Sequence, residues 1–235
     1  MAITTEKDLG ARMNTFQPDL IVEVTGACNR ACAGCYAPNV VAKDAASVFE
    51  KRPELFLKSE ALRCALSEIH HRIETASVRG GEPTLHPEIA TLLGMIAPRA
   101  NQVFLETHAR WLMSEDFIPY MGLLEAIKKN GIIVKISFDK MHGLKEQELQ
   151  GIIKFLNWHD VDYRIAITES SLVDYATTRS QCSFVKDEKI IFQMKALSAD
   201  KLVKPTIGTI NVRGELKATI THKFENAHEL RVAYA

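Results

Sequence analysis

The stretch from Leu20 to Tyr36 reads LIVEVTGACNRACAGCY, a β-rich run followed at once by a loop with three cysteines. Cys28, Cys32 and Cys35 have the spacing C-x-x-x-C-x-x-C, and Tyr36 follows the last of them. Three thiolates at this spacing can converge on one metal centre. A four-iron cluster normally takes four cysteine ligands, so three ligands leave one iron open to a small molecule. This pattern predicts a metal-dependent site directly after the first strand.

Two other interpretations of the cysteine triad stay open. One is a structural zinc site completed by a histidine, although zinc motifs favour C-x-x-C pairs and fill all four metal positions. The other is three unligated thiols. The remaining cysteines, Cys64 and Cys182, form no second pair. Cys64 lies between Leu62 and Leu66 on a predicted helix, where we expect it to pack in the core.

Short β-rich runs alternate with amphipathic helices along the chain, which implies a parallel sheet with right-handed crossovers. The predicted strands are 20–24, 76–78, 103–105, 132–136 and 163–167. The predicted helices start with Ser59 as N-cap, with Pro87 in the first turn and at Ser114, and a fourth carries the apolar residues Leu149, Ile152, Ile153 and Leu156. We expect the stretch 170–182 to be irregular and 206–220 to form a hairpin with a turn at 212–214.

Five clear strand–helix units are fewer than a closed eight-unit barrel needs. We therefore predict an α/β fold, an open, partial TIM-type β/α barrel with about five to six parallel strands. A small C-terminal β extension would complete it. Residues 1–169 would form the core and 170–235 the extension, within one domain, which suits a length of 235 residues.

The predicted strands all place polar or special residues at their carboxyl ends. In parallel α/β sheets these ends share one edge, and ligands bind there. The sequence therefore predicts a site at this edge. The segments that would meet there are the cysteine loop (residues 28–35), Gly80–Pro83, Thr107–His108, Ser137–Asp139 and Thr168–Glu169.

The segment Gly80–Pro83 reads GGEP and follows the second predicted strand. Two glycines let the backbone approach a ligand closely, and proline stiffens the exit. Taken alone, GGEP is also an ordinary strand-to-helix turn. Together with the cysteine triad it resembles the radical S-adenosylmethionine enzymes, which carry C-x-x-x-C-x-x-C-aromatic after their first strand and GGEP after their second. The resemblance covers about residues 20–168.

This resemblance implies a [4Fe–4S] cluster ligated by Cys28, Cys32 and Cys35, with S-adenosylmethionine on the fourth iron. Reductive cleavage of S-adenosylmethionine would give methionine and a 5′-deoxyadenosyl radical that takes a hydrogen atom from the substrate. The cofactor-binding residues that it implies are Tyr36 and Ile167 near the adenine, the turn Gly80, Gly81, Glu82 and Pro83 at the methionine amino end, Thr107, and Ser137 with Asp139 at the ribose or carboxylate.

Four further residues are weaker candidates. His108 stands where the family often has the asparagine of T-N-G, so it is either a substrate contact or a surface histidine. His142 and Glu169 lie near the predicted edge and are candidate substrate contacts. Cys182 is either a hydrogen donor to a substrate radical, as in some epimerases of the family, or a buried free cysteine.

Composition restricts the partners. Lys+Arg and Asp+Glu each number 29, so no global field draws the protein to nucleic acid or an anionic membrane. No apolar run approaches the roughly 20 residues of a membrane span, and residues 1–19 carry no signal-peptide core. We expect a cytoplasmic oxidoreductase with a small-molecule or short-peptide substrate and an electron donor such as flavodoxin or ferredoxin. An iron–sulfur electron-transfer protein and a zinc-stabilised binding module are the alternatives.

Overall fold

The computed structural model describes residues 16, 18–32, 35, 40–41, 45–169, 171–194 and 207–218. Strands and helices alternate along most of this length. The strands are β1 Leu20–Thr25, β2 Ala27–Cys28, β3 Val40–Val41, β4 Ile73–Gly80, β5 Ala100–Thr107, β6 Ile133–Ser137, β7 Tyr163–Glu169, β8 Ile190–Met194, β9 Gly208–Ile210 and β10 Leu216–Ala218. The helices are α1 Ala45–Lys51, α2 Ser59–Ser67, α3 Ile89–Ile96, α4 Met121–Lys129, α5 Glu146–Trp158 and α6 Leu172–Gln181.

Eight of these strands form one sheet in the order β10-β9-β1-β4-β5-β6-β7-β8, with β10 and β8 at its edges. Every neighbouring pair is parallel except β10 with β9. Strands β2 and β3 pair separately, with Cys28 opposite Val41. The predicted open α/β barrel is confirmed. Strand β8, which was not assigned from sequence, and β9, the first strand of the predicted hairpin, both extend the parallel series.

The two faces of the sheet are packed differently. Leu20, Val22 and Val24 on β1 are fully buried in the main core, which continues into the apolar faces of α2 to α5. Side chains alternate across a strand, so Ile21 and Glu23 point to the opposite, inner face. The helix-facing core fixes the register of the strands and thereby the positions of the segments at their carboxyl ends.

The predicted irregular stretch at 170–182 is wrong, because α6 occupies most of it. Ser171 is the N-cap, and its hydroxyl oxygen accepts a hydrogen bond from the Asp174 N–H at 3.1 Å. The S-x-x-D pattern that produces this cap is readable in the sequence. The helix predicted from Ser114 begins only at Met121, since the Ser114 hydroxyl instead donates to the Asp116 carbonyl at 2.8 Å.

Smaller corrections concern the helix starts. Ser59 is the first residue of α2, whose N-cap is Lys58. Pro87 precedes the N-cap of α3, which is Glu88.

Cys64 is exposed, so its predicted core packing is wrong. It lies about half a turn around α2 from Leu62 and therefore on the opposite side of the helix.

The predicted C-terminal hairpin is confirmed by the antiparallel pairing of β9 with β10. Gly214 in its turn has φ of +80° and lies against α2, where an added Cβ would come within 2.4 Å of the Ala61 Cβ. Both the backbone conformation and the close contact therefore require glycine.

In the described part of the chain, no helix combines the length and apolarity needed to cross a membrane.

Candidate functional site

The cysteine loop begins at the carboxyl edge of the sheet, directly after β1. Cys28 is 6% exposed, Cys32 is half-buried and Cys35 is exposed, and none of the three forms a disulfide bond among the described residues. The Cys35 N–H donates to the Cys32 carbonyl at 3.2 Å. Over the described ranges, no three His, Cys, Asp or Glu side chains are arranged to hold a metal ion. Tyr36, the aromatic residue of the motif, lies outside the described residues.

The Cys28 thiol is influenced by its burial and by neighbouring charges. Burial raises the pKa of the Cys28 thiol to about 11; the Arg30 N–H opposes this shift, whereas the charges of Glu82, Cys32 and Cys35 add to it. The metal-free Cys28 thiol is therefore protonated near pH 7, and a metal must displace that proton to bind. Three neighbouring thiols without a fourth cysteine fit a [4Fe–4S] cluster with one open iron in donor type and number.

Backbone hydrogen bonds join the Gly80–Pro83 turn to the residues that lead into the cysteine loop. The Gly81 N–H donates to the Thr25 carbonyl at 2.7 Å, and the Glu82 N–H donates to the Ala27 carbonyl at 2.9 Å. A Cβ on Gly80 would lie 2.4 Å from the Thr25 carbonyl oxygen. The first glycine of the motif is therefore required by the close approach of β4 to β1, and this approach sets the position of the loop.

The Glu82 carboxylate is buried and fully used inside the protein. Its Oε1 accepts from the Thr84 hydroxyl at 2.7 Å and from the Thr107 hydroxyl at 2.7 Å. Its Oε2 accepts from the His108 N–H at 3.1 Å. Pro83 is also buried and begins a short 3-10 turn. The acidic side chain of GGEP therefore ties the end of β4 to the end of β5.

His108 is 6% exposed, so its interpretation as a surface histidine is wrong. Its Nε2 lies 2.8 Å from the Asn29 Oδ1 and 3.2 Å from the Glu82 Oε2. Its Nδ1 accepts from the Arg110 N–H at 3.1 Å. Burial lowers the pKa of His108 despite the opposing effect of Glu82. A neutral imidazole therefore links the cysteine loop to the Gly80–Pro83 turn.

Ser137 and Asp139 stand at the carboxyl end of β6, as predicted. Ser137 is half-buried, whereas the Asp139 carboxylate is fully buried. The carboxylate accepts from the His142 N–H at 3.0 Å and lies 2.8 Å from the His142 Nδ1. The structure therefore brings His142 to this edge as the partner of Asp139.

Two other predicted residues of β7 point away from the inner face. Ile167 is fully buried in the helix-facing core, while its neighbours Ala166 and Thr168 face the inner side. Glu169 is 5% exposed and accepts from the Thr178 hydroxyl of α6 at 2.6 Å. Its carboxylate anchors α6 to the end of β7.

Cys182 is fully buried at the C-cap of α6. Its sulfur lies 3.6 Å from the Thr178 carbonyl oxygen and 3.5 Å from that of Arg179. Burial raises the pKa of its thiol. The structure thus has a buried free cysteine in the helix-facing core, and it does not bring Cys182 into contact with the described residues of the cysteine loop.

A row of charged side chains crosses the inner face of the sheet. Its residues lie one or two positions before the carboxyl ends of β1, β4, β5 and β6. Arg79 Nη2 lies 3.3 Å from Glu23 Oε1, and Lys135 Nζ lies 3.2 Å from Glu106 Oε1. The Ser77 hydroxyl donates to Glu106. Burial favours protonation of Glu106, but Lys135 and Arg79 outweigh it and hold the pKa of this carboxyl below its ordinary value. Single charges inside apolar strands, as in IIVKI at 132–136, are the sequence signal that would have identified this row.

Comparisons with solved structures agree with the observed fold. Native anSMEcpe with bound AdoMet matches with a TM-score of 0.51 and 15% identity, over 79% of this chain and 56% of that one. The same protein with AdoMet and a Cp18Cys peptide matches with a TM-score of 0.49 and 15% identity, over 79% and 55%. Streptococcus suis SuiB bound to S-adenosylmethionine matches with a TM-score of 0.37 and 14% identity, over 81% and 50%.

The chain therefore spans about half the length of the structures it resembles. No protein-family model and no curated protein matches it. At this level of identity the likeness establishes the shared fold, an open, partial α/β barrel.

Proposed function

We propose that this chain is a radical S-adenosylmethionine enzyme. Cys28, Cys32 and Cys35 would ligate three irons of a [4Fe–4S] cluster, and S-adenosylmethionine would bind the fourth. One-electron cleavage of S-adenosylmethionine would lead to hydrogen abstraction from a small-molecule or short-peptide substrate. Epimerisation, dehydrogenation, rearrangement or cross-linking would follow. The electron donor would be a flavodoxin or ferredoxin, in the cytoplasm.

The observation that carries this proposal is the hydrogen bonding of the Gly80–Pro83 turn to the residues that lead into the cysteine loop. The N–H groups of Gly81 and Glu82 donate to the carbonyls of Thr25 and Ala27, and Ala27 directly precedes Cys28. Two segments that are far apart in sequence thus form one rigid corner at the carboxyl edge of the sheet. The fold shared with anSMEcpe, whose structure contains AdoMet, supports the same conclusion.

The residues of the chain would bind and orient the cofactors. The cluster, when bound, supplies the electron that breaks a carbon–sulfur bond of S-adenosylmethionine. Cys28 would lose its proton on ligation, and the Arg30 N–H that hydrogen-bonds its sulfur would stabilise the thiolate. The backbone of Gly80 and Gly81 would hold the methionine amino end, since it lies beside the loop.

The side chains at the strand ends divide into two groups. Thr107 and Glu82 bond to each other inside the protein, so we assign them to holding the corner rather than to cofactor contact. Ser137 is half-buried at the edge and would contact the ribose, with Asp139 close behind it. Because Ile167 faces the helices, the inner-face positions Ala166 and Thr168 would border the adenine instead.

Anaerobic reconstitution with iron and sulfide, followed by reduction with dithionite and assay for 5′-deoxyadenosine, tests the proposal. We expect S-adenosylmethionine-dependent formation of 5′-deoxyadenosine. Cys28→Ala, Cys32→Ala and Cys35→Ala should each abolish both cluster assembly and this product. Cys64→Ala is the matched control, because Cys64 is exposed on α2 and outside the cysteine loop.

Two other results would overturn the proposal. A fully loaded, reducible cluster that yields no 5′-deoxyadenosine would favour an electron-transfer protein. One tightly bound zinc per chain, with no iron uptake under the same anaerobic conditions, would favour a zinc-stabilised binding module.

A further inference from the structure

His108 is the point at which three segments of the candidate site meet. The residue follows β5 directly, and its side chain is 5% exposed. The Nε2 atom lies 2.8 Å from the Asn29 Oδ1 in the cysteine loop. It also lies 3.2 Å from the Glu82 Oε2 in the Gly80–Pro83 turn. One buried imidazole therefore spans the two motifs.

The other ring nitrogen fixes the direction of these bonds. The His108 Nδ1 accepts a hydrogen bond from the Arg110 N–H at 3.1 Å, so in the neutral ring the hydrogen is on Nε2. Glu82 already accepts hydrogen bonds from Thr84, Thr107 and the His108 backbone. The shorter of the two Nε2 contacts is the one to Asn29. The His108 Nε2–H therefore donates its hydrogen bond to the Asn29 Oδ1.

We propose that His108 is a positioning residue whose Nε2–H holds Asn29, and through it the Cys28 end of the cysteine loop, against the Gly80–Pro83 turn. Asn29 is exposed, so its packing contributes little, whereas its amide oxygen reaches back to the buried ring. Asn29 directly follows Cys28, and restraining its side chain restrains the first thiol. The purpose of this contact, to keep the loop ready for the cluster, rests on the proposed function.

The same geometry argues against a direct substrate contact. Both ring nitrogens of His108 already have partners within the protein, Arg110 on one side and Asn29 with Glu82 on the other. A substrate group would have to displace one of them. The imidazole acts on the site through Asn29.

Thiol labelling of the metal-free 235-residue chain tests the proposal, with other cysteines as internal references. Cys28 reports the loop, Cys182 is fully buried and reports global opening, and Cys64 is exposed and reports reagent activity. Asn29→Leu removes the acceptor at similar size. We expect it to accelerate Cys28 labelling about threefold to tenfold, the range for one net hydrogen bond, with Cys182 unchanged.

Two further variants separate the hydrogen bond from packing. Asn29→Gln retains a neutral amide oxygen and should accelerate Cys28 labelling less than Asn29→Leu does. His108→Phe retains a ring without the N–H, and combining it with Asn29→Leu should accelerate Cys28 no more than the larger single effect. After reconstitution, Asn29→Leu should also lose iron faster to a chelator than the Asn29→Gln variant does.

Unchanged Cys28 labelling in Asn29→Leu would overturn the proposal, as would equal acceleration of Cys28 and Cys182, which indicates general destabilisation. The labelling result does not depend on the proposed function. A chain that forms no 5′-deoxyadenosine but exposes Cys28 selectively would retain the positioning role and lose the enzymatic assignment. A chain that forms 5′-deoxyadenosine but shows unchanged Cys28 labelling in Asn29→Leu would retain the enzymatic assignment and lose the positioning role.

Discussion

The ammonium group of Lys135 lies 3.2 Å from the Glu106 carboxylate on the inner face of the sheet, where the two residues are direct register partners on β6 and β5. The two partners are unequally buried, since the Lys135 side chain is 2% exposed and that of Glu106 is 22% exposed. Burial lowers the pKa of Lys135, and Glu106 opposes this shift. The charged form of Glu106 is also stabilised by Ser77 and Arg79. Loss of the ion pair should therefore destabilise the charge on Lys135 more than the charge on Glu106.

Removing either charge should therefore destabilise the fold unequally. We expect Glu106→Gln to lower the free energy of unfolding by about 3 kcal/mol, because it leaves a buried ammonium without its counter-charge. Lys135→Met should cost less, and the double variant should recover part of the loss. Urea denaturation measures all three. The exposed Glu60 of the Arg63–Glu60 pair is the control, and Glu60→Gln should change the value by under about 0.5 kcal/mol.

Two glycines with equal space around them should respond oppositely to alanine. An added Cβ on Gly151 or Gly131 meets no atom within 4 Å, but Gly131 has φ of +61° whereas Gly151 lies within helix α5. Gly151→Ala should raise the free energy of unfolding by about 1 kcal/mol through helix propensity. Gly131→Ala should lower it by about 1 kcal/mol, because L-residues are strained at positive φ. A stabilised Gly131→Ala variant would show that the αL conformation is not maintained.

Much of the fold could be read from the sequence because apolar periodicity and turn residues are local signals. The strands at 132–136 and 163–167 and the stop at Asn130–Gly131 agree with the structure within a residue or two. Helix α6 was missed because its sequence, LVDYATTRSQ, is weakly amphipathic and rich in β-branched residues. Only the cap formed by Ser171 and Asp174 signals it.

The site was predictable in its segments but not in its contacts. The order of motifs placed the cysteine loop and Gly80–Pro83 at one edge, which follows from parallel topology. The hydrogen bond between Asn29 and His108 joins residues that are 79 positions apart in sequence. It depends on the directions of both side chains, which no local sequence pattern predicts. Ala109 likewise adopts φ of +59°, at the position where the resembled family often has glycine. An alanine does not indicate a left-handed conformation, so the sequence contains no signal for it.

Gly80→Ala should disturb the corner that joins the two motifs. The new Cβ would lie 2.4 Å from the Thr25 carbonyl oxygen and 2.9 Å from the Thr25 nitrogen, both backbone atoms that cannot rotate away. We expect a loss of about 1–3 kcal/mol in unfolding free energy, typical of forced overpacking, and faster labelling of Cys28. The control is Gly94→Ala, since a Cβ at Gly94 meets nothing within 4 Å. Equal stability of the two variants would mean that β4 does not approach β1 this closely.

His86 should make the fold sensitive to acid. The residue is 2% exposed; its Nδ1 accepts from the Glu88 N–H at 3.0 Å, and its Nε2 lies 2.9 Å from the Leu57 carbonyl oxygen. Burial lowers the pKa of His86 from 6.5, although the Leu57 carbonyl and Glu88 oppose the shift. The unfolded chain therefore binds a proton at a pH where the folded chain does not.

The sign of the effect follows from this difference. Stability contributed by neutral His86 is fully present above pH 6.5 and falls as the pH drops below that value, levelling off below the folded-state pKa. The slope from one group cannot exceed about 1.4 kcal/mol per pH unit. Urea midpoints between pH 7.5 and 5 should fall less steeply for His86→Gln, whose amide can still donate to Leu57, than for the wild type. His70→Gln, the same substitution at an exposed position, is the matched control. An unchanged slope in His86→Gln would mean that His86 titrates alike in the folded and unfolded chains.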